Sequence, residues 1–228
     1  FRYDIEYGFA SGHHAASLAA GCGGDAPPPQ RTPPPDAKRV DASKAGTITG
    51  RVRIEGPVPA NPLAKMDDSF CARENKDGLS LENFVVEGGG LNNVFVHIKN
   101  GMGDYYFERP TAAAKLDQHS CRYTPHVLGV QTGQPVEISN SDPTAHNVNA
   151  VAKVNRGFNF GQPMQGLKNT TTFNEPEVMV RVKCDVHGWM SAFVGVVSHP
   201  YFAVTRDGGK FELKNVPAGT YTVEAWHE

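Results

Sequence analysis

The sequence predicts an all-β protein, and three observations carry that expectation. Beyond Gly46, short stretches rich in Val, Ile, Phe and Thr alternate with Gly, Pro, Asn and Asp. No long segment keeps a helical period. Hydrophobic residues make up 39% and charged residues 20% of 228, which suffices for one large core or two small ones. No apolar run approaches the roughly 20 residues needed to cross a bilayer; the longest are strand-like pieces such as Phe193 to Val197. A formal charge of −2 with scattered Lys and Arg gives no basic stripe, which argues against nucleic acid as a partner.

Residues 1–45 read as an N-terminal arm and tether. From Asp25 to Asp36 the chain is rich in proline and poor in large apolar side chains, so it cannot bury enough surface to offset chain entropy. Just before it, Leu18-Ala-Ala-Gly-Cys22 resembles the lipobox of bacterial lipoproteins, which marks Cys22 as a possible lipid anchor. The match is partial, because Phe1 to Ser17 carries Asp4, Glu6, His13 and His14 where a signal peptide has an apolar stretch. An ordinary thiol in the arm is the alternative.

Strands are expected at Thr47 to Ile54, Asn93 to Lys99, Pro135 to Ser139, Asn147 to Val151, Thr170 to Phe173, Val178 to Cys184, Ala192 to Val197, Phe202 to Thr205, Lys210 to Leu213 and Thr220 to Ala225. Val178, Val180, Val182 and Cys184 share one parity, which places Cys184 at the end of a core-facing row. These strands and their short connections argue for packed antiparallel sheets.

The chemistry sits where that row ends. Cys184-Asp-Val-His187-Gly-Trp-Met190 offers a thiolate, an imidazole and a thioether close together. His146, in Asp142-Pro-Thr-Ala-His146-Asn147-Val148, starts an earlier strand that can lie beside it. Two histidines and a cysteine form a trigonal donor set, with Met190 as a weak axial ligand, and such a set suits copper.

On these residues the region 112–199 resembles the cupredoxins, the group of plastocyanin, pseudoazurin and amicyanin. The short loop from Cys184 through His187 to Met190 resembles that of amicyanin more than the longer one of plastocyanin. The resemblance implies a Greek-key β-sandwich, a copper cofactor, and a role for Asn147 in steadying the cysteine sulfur and linking the two ligand segments. The flanks, 46–111 together with 200–228, resemble a smaller transthyretin-like, or carboxypeptidase-regulatory-like, β-sandwich into which the cupredoxin part is inserted or against which it packs. With Cys184 on metal and Cys22 in the arm, Cys71 and Cys121 remain, and outside the cytoplasm they are expected to form a disulfide. The sequence permits other pairings, and free buried thiols are the alternative.

His126 reads as a hydrogen-bonded structural histidine, and His97, His119, His199 and His227 have no ligand spacing. Gly88-Gly-Gly90 precedes no helix and reads as a loop, as does Asn169-Thr-Thr171. No nucleophile triad, carboxylate pair or nucleotide fingerprint stands out, so no enzyme is expected. The expected function is one-electron transfer at a type 1 copper site, electrons passing through an exposed edge of His187 with Trp189 and Met190 in an apolar docking patch. The redox partner is expected to be a protein such as a c-type cytochrome or a membrane electron-transfer complex. The expected place is periplasmic or extracytoplasmic, at the membrane surface through the N-terminal arm. The alternative is a structural subunit of a respiratory or photosynthetic complex that keeps the fold with copper optional or absent.

Overall fold

The computed structural model describes residues 2–10 and 33–228. Cys22 and most of the proline-rich segment lie outside the described residues. In chain order the elements are β1 (Arg2–Ala10), β2 (Ala45–Glu55), α1 (Ser69–Glu74), β3 (Val86–Glu87), β4 (Gly90–Leu91), β5 (Phe95–Asn100), β6 (Ala114–His119), β7 (Arg122–Thr124) and β8 (Val127–Gln131). They continue with β9 (Pro135–Asn140), β10 (His146–Val151), β11 (Phe158–Gln162), β12 (Lys168–Thr172), β13 (Glu177–Lys183), β14 (Ser191–Val197), β15 (Phe202–Val204), β16 (Lys210–Pro217) and β17 (Thr222–Trp226). Among the described residues no helix is long and apolar enough to cross a membrane.

The strands build sheets that pack in layers. One sheet runs β11-β10-β13-β14-β8 and a second runs β12-β9-β6-β7; Leu116, Tyr123, Val136, Ile138, Val148, Val180, Val182 and Val194 fill the space between them. A third sheet, β15-β5-β17, and a fourth, β1-β2-β4-β3 with β16 on β2, enclose Val52, Leu91, Val96, Ile98, Phe211 and Leu213. A smaller core of Phe95, Val127 and Val197 joins the third sheet to the first. Strand β5 is therefore apolar on both faces, Val96 and Ile98 looking one way and Phe95 the other. Each fully buried side chain of this kind stabilises the fold by about 1.5–3 kcal/mol.

The junction depends on two missing side chains. Gly195 and Gly129 are cross-strand neighbours on β14 and β8. A Cβ on Gly195 would stand 2.6 Å from the Phe95 ring, and one on Gly129 would stand 2.4 Å from Phe202 and 2.9 Å from Phe95. Glycine at both places lets the aromatic rings lie flat on the sheet.

Several expectations change. The arm expected over residues 1–45 includes β1, which pairs antiparallel with β2 along its whole length. Its alternation of Tyr3, Ile5, Tyr7 and Phe9 is a strand pattern that the acidic residues between them mask. The first two sheets are mixed, because β8 runs parallel to β14 and β6 parallel to β9, while the third and fourth are antiparallel. Val178 leaves the row it shares with Val180 and Val182, since an irregularity between Glu177 and Val180 turns it into the Phe95 core.

Candidate metal centre

The ligand loop spans the gap between β13 and β14. Lys183 pairs with Ser191, so Cys184 to Met190 form the connection. Two backbone hydrogen bonds fold it, from Cys184 N–H to Met190 O at 3.2 Å and from Met190 N–H to His187 O at 2.9 Å. Strand alternation turns Val180, Val182 and Cys184 into the core. Pairing of Asn149 with Lys183 brings β10, and His146 at its start, beside the loop.

The donor atoms of His146, Cys184 and His187 lie within 4.8 Å of one another, and each residue is 2% exposed. The two Nδ1 atoms are 3.0 Å apart. Met190 is buried in the same core as Cys184. Asn147 ties the segments together, because its Oδ1 accepts the Asp185 N–H at 3.1 Å and its backbone hydrogen-bonds to Cys184. His187 N–H donates to Cys184 Sγ at 3.3 Å. Burial alone would push the Cys184 thiol up; hydrogen bonds with the two imidazoles and with the backbone of His187 and Asn147 outweigh it and hold the thiol at about 6. Burial would lower the His146 pKa, but Asp142 and Cys184 together raise it to about 9.

Asp142 has no assigned role in the sequence reading, although its place four residues before His146 is the signal that could have found it. Its Oδ2 accepts from His146 Nε2 at 2.8 Å, which leaves Nδ1 to face the cluster. The same carboxylate accepts the N–H groups of Ser120 at 2.7 Å and Cys121 at 2.8 Å. These two residues form the tight turn between β6 and β7, and both have positive φ, 51° and 56°. Asp142 therefore pins a turn whose backbone non-glycine residues rarely adopt. Its own burial raises the Asp142 pKa, and these hydrogen bonds outweigh that and lower it.

Cys71 and Cys121 form a disulfide with Cα atoms 5.6 Å apart. Its position corrects the expected electron exit: His187 has no exposed edge. Asp68 caps α1 by accepting from Phe70 N–H and Cys71 N–H, and the helix is stapled by the disulfide over His187. Cys71 Sγ and Asp68 Oδ2 each stand 3.9 Å from His187 Nε2. The apolar patch is corrected too. Met190 is 1% exposed, and Trp189 is partly buried, with Nε1–H donating to Cys121 O at 3.0 Å. The cause is a segment more than a hundred residues upstream, which local sequence around the loop cannot reveal.

His126 takes the structural place expected of it, with Nδ1 3.1 Å from Ser191 O and Nε2 2.5 Å from Glu228. Two imidazoles, a low-pKa thiol and a neighbouring thioether fit copper by donor type and by burial.

No protein-family model and no curated protein sequence matches the chain. Solved structures do. A copper-containing nitrite reductase from Thermus scotoductus SA-01 matches at 16% identity and TM-score 0.36, over 50% of this chain and 25% of that one, so the chain spans about a quarter of that enzyme's length. A variant of amicyanin in its Cu(I) form matches at 27% identity and TM-score 0.33, over 37% of this chain and 81% of that one. A purple cupredoxin from Nitrosopumilus maritimus matches at 21% identity and TM-score 0.31, over 36% and 98%. The layered sheets carrying the His146, Cys184 and His187 segments form a β-sandwich. The expectation that the chain is no enzyme is withdrawn, because a nitrite reductase stands among the matches.

Proposed function

We propose that the chain is a type 1 copper protein that transfers single electrons, whose metal would be held by His146, Cys184 and His187 with Met190 as a weaker fourth ligand. The observation that carries this is the buried cluster itself: two imidazole Nδ1 atoms 3.0 Å apart beside a thiol held at about 6. Copper supplies a one-electron couple when bound. The protein fixes the donors: Asp142 orients His146, the backbone of Asn147 and His187 steadies the Cys184 sulfur, and the disulfide-stapled helix keeps water from His187. With that edge covered, Trp189 offers the path outward, its ring 5.0 Å from the His187 ring and its other side lining a surface cleft with Arg122, His126 and Arg181.

The reading includes an extracytoplasmic protein at the membrane surface, partnered by a c-type cytochrome or a membrane electron-transfer complex. The disulfide supports an oxidising compartment. The division into a cupredoxin part over 112–199 and a transthyretin-like sandwich from 46–111 with 200–228 is supported by one core drawn mainly from 112–199 and another drawn from the flanks. The test is copper loading of the unreduced protein followed by visible spectroscopy. An intense thiolate-to-copper band that Cys184→Ser abolishes is expected; a colourless protein that takes up no copper would leave the architectural alternative.

A further inference from the structure

We propose that Asp68 sets the charge balance of the centre: together with Asp142 it stands a carboxylate behind each ligand imidazole and favours the oxidised metal, so that the chain acts as an electron donor. This rests on the copper reading above and deepens it. Each imidazole turns its Nδ1 toward the cluster, where the two atoms are 3.0 Å apart, and its Nε2 toward an acid. His146 Nε2 meets Asp142 Oδ2 at 2.8 Å, and His187 Nε2 meets Asp68 Oδ2 at 3.9 Å. The first contact is a hydrogen bond; the second is longer than one and acts through charge.

Both acids are fixed by the same kind of anchor. Asp68 Oδ1 accepts Phe70 N–H at 2.9 Å and Cys71 N–H at 2.8 Å, while the Thr144 hydroxyl donates to Oδ2 at 3.3 Å. Asp142 accepts the N–H groups of Ser120 and Cys121. The N–H of each half-cystine thus holds one acid, and the bond between Cys71 and Cys121 ties the two anchors together. Among the described residues the ion-pair partners of both acids are histidines, His187 for Asp68 and His146 with the more distant His119 for Asp142, so no Lys or Arg cancels their charge.

The consequence is electrostatic. With the Cys184 thiolate in front and a carboxylate behind each imidazole, the metal is surrounded by negative charge, and its more positive state is the better compensated. Giving an electron takes Cu(I) to Cu(II), and the redox centre of the protein partner takes that electron up, so these charges favour donation. Asp142 is 2% exposed and little screened, whereas the Asp68 side chain is 28% exposed and loses part of its effect to solvent. A unit charge within about 10 Å at an effective dielectric of about 20 still shifts an equilibrium between two charge states roughly tenfold.

The test loads the full chain with copper and titrates it against a redox mediator of known potential, reading the visible band. Asp68→Asn keeps a side chain that caps α1 as well as aspartate does and removes the charge; Asp68→Ser repeats this with a second capping side chain. At the solution potential that holds the wild type half oxidised, both variants are expected to favour Cu(I) roughly tenfold. Band position and near-UV circular dichroism should stay as in the wild type, because the ligands remain in place. The ratio of Cu(II) to Cu(I) affinity, measured by competition with chelators, should fall by the same factor. An unchanged midpoint, a shift toward Cu(II), or a shift that comes only with a moved band would each overturn the proposal, the last because it means a disturbed ligand set and not a removed charge. A wild type that takes up no copper would sink the copper reading and this proposal with it, whereas a coloured wild type whose midpoint is indifferent to Asp68→Asn sinks this proposal alone.

Discussion

Replacing Asp142 by Asn keeps the size of the side chain and removes its charge and one acceptor. The carboxylate receives three donors: Ser120 N–H on one oxygen, and Cys121 N–H with His146 Nε2 on the other. Whichever way the amide turns, its NH2 meets at least one buried N–H. Each hydrogen bond to a charged acceptor contributes about 1.5–3 kcal/mol, and breaking a buried pair from one side costs about 3–5 kcal/mol. Urea unfolding of metal-free Asp142→Asn should therefore show a loss of about 3–5 kcal/mol, and copper affinity should fall about 10–100-fold as His146 loses its orientation. A loss under about 1 kcal/mol, the size of one ordinary net hydrogen bond, would refute the idea that Asp142 holds both the turn and the histidine.

The same network fixes the pH dependence of the metal-free protein. The lowered Asp142 pKa gives stability present above its ordinary 3.8 and lost as pH falls through the folded value. His146, raised from 6.5 to about 9, stabilises fully below 6.5, and that share disappears as pH rises to about 9. Cys184, lowered from 9.0 to about 6, behaves oppositely: its share is absent below about 6 and complete above 9.0. Between 6.5 and 9.0 folding moves a proton from thiol to imidazole without net uptake, so stability should be nearly flat. Cys184→Ser removes the thiolate and with it part of what raises His146, so the variant should decline over that interval only by the share that Asp142 supports. A wild type that declines as steeply as the variant would contradict the paired assignment.

Glu177 accepts the backbone N–H groups of Lys153, Val154 and Asn155, so Glu177→Gln should cost about 2–3 kcal/mol in urea unfolding. Because burial is outweighed and its pKa is lowered from 4.5, its stabilisation should be present above pH 4.5 and vanish in acid. Cys71→Ser with Cys121→Ser opens a loop with a sequence separation of 50, and thermal or urea unfolding should show a loss of about 4 kcal/mol. Gly195→Val should cost about 1–3 kcal/mol or more by driving side-chain atoms into the fully buried Phe95 ring, a loss readable in the same unfolding assay.

Much of this was legible because strand alternation and ligand order are local. Val180, Val182 and Cys184 point one way for the reason any strand alternates, and the expected segments Pro135 to Ser139 and Ala192 to Val197 lie within β9 and β14. The strand β6, Ala114 to His119, escaped notice because Lys115, Asp117 and His119 break the apolar run while only Leu116 and Gln118 are fully buried. The Gln118 amide hydrogen-bonds to Gln162, a buried polar pairing with no sequence signature. What covers His187 was illegible for a different reason. Cys71 is expected to pair with Cys121, but nothing in the sequence shows that this closure also brings Asp68 and Cys71 to the cluster. Long-range closure of this kind is a property of the folded chain, and no window of sequence around Cys184 contains it.

The donor spacing is also close to what the proposed metal would need. Two nitrogens sharing one metal through bonds of about 2.0–2.1 Å stand about 3.2–3.5 Å apart, against 3.0 Å between the two Nδ1 atoms here. The donors thus need to part by only a few tenths of an ångström. What resists larger movement is named: Asp142 on His146, Asn147 between the ligand segments, and the stapled helix over His187. With copper bound as proposed, a site held in this way would respond to a gained or lost electron with little rearrangement of its ligands. The disulfide between Cys71 and Cys121 fixes that cover covalently beside the His187 Nε2 edge.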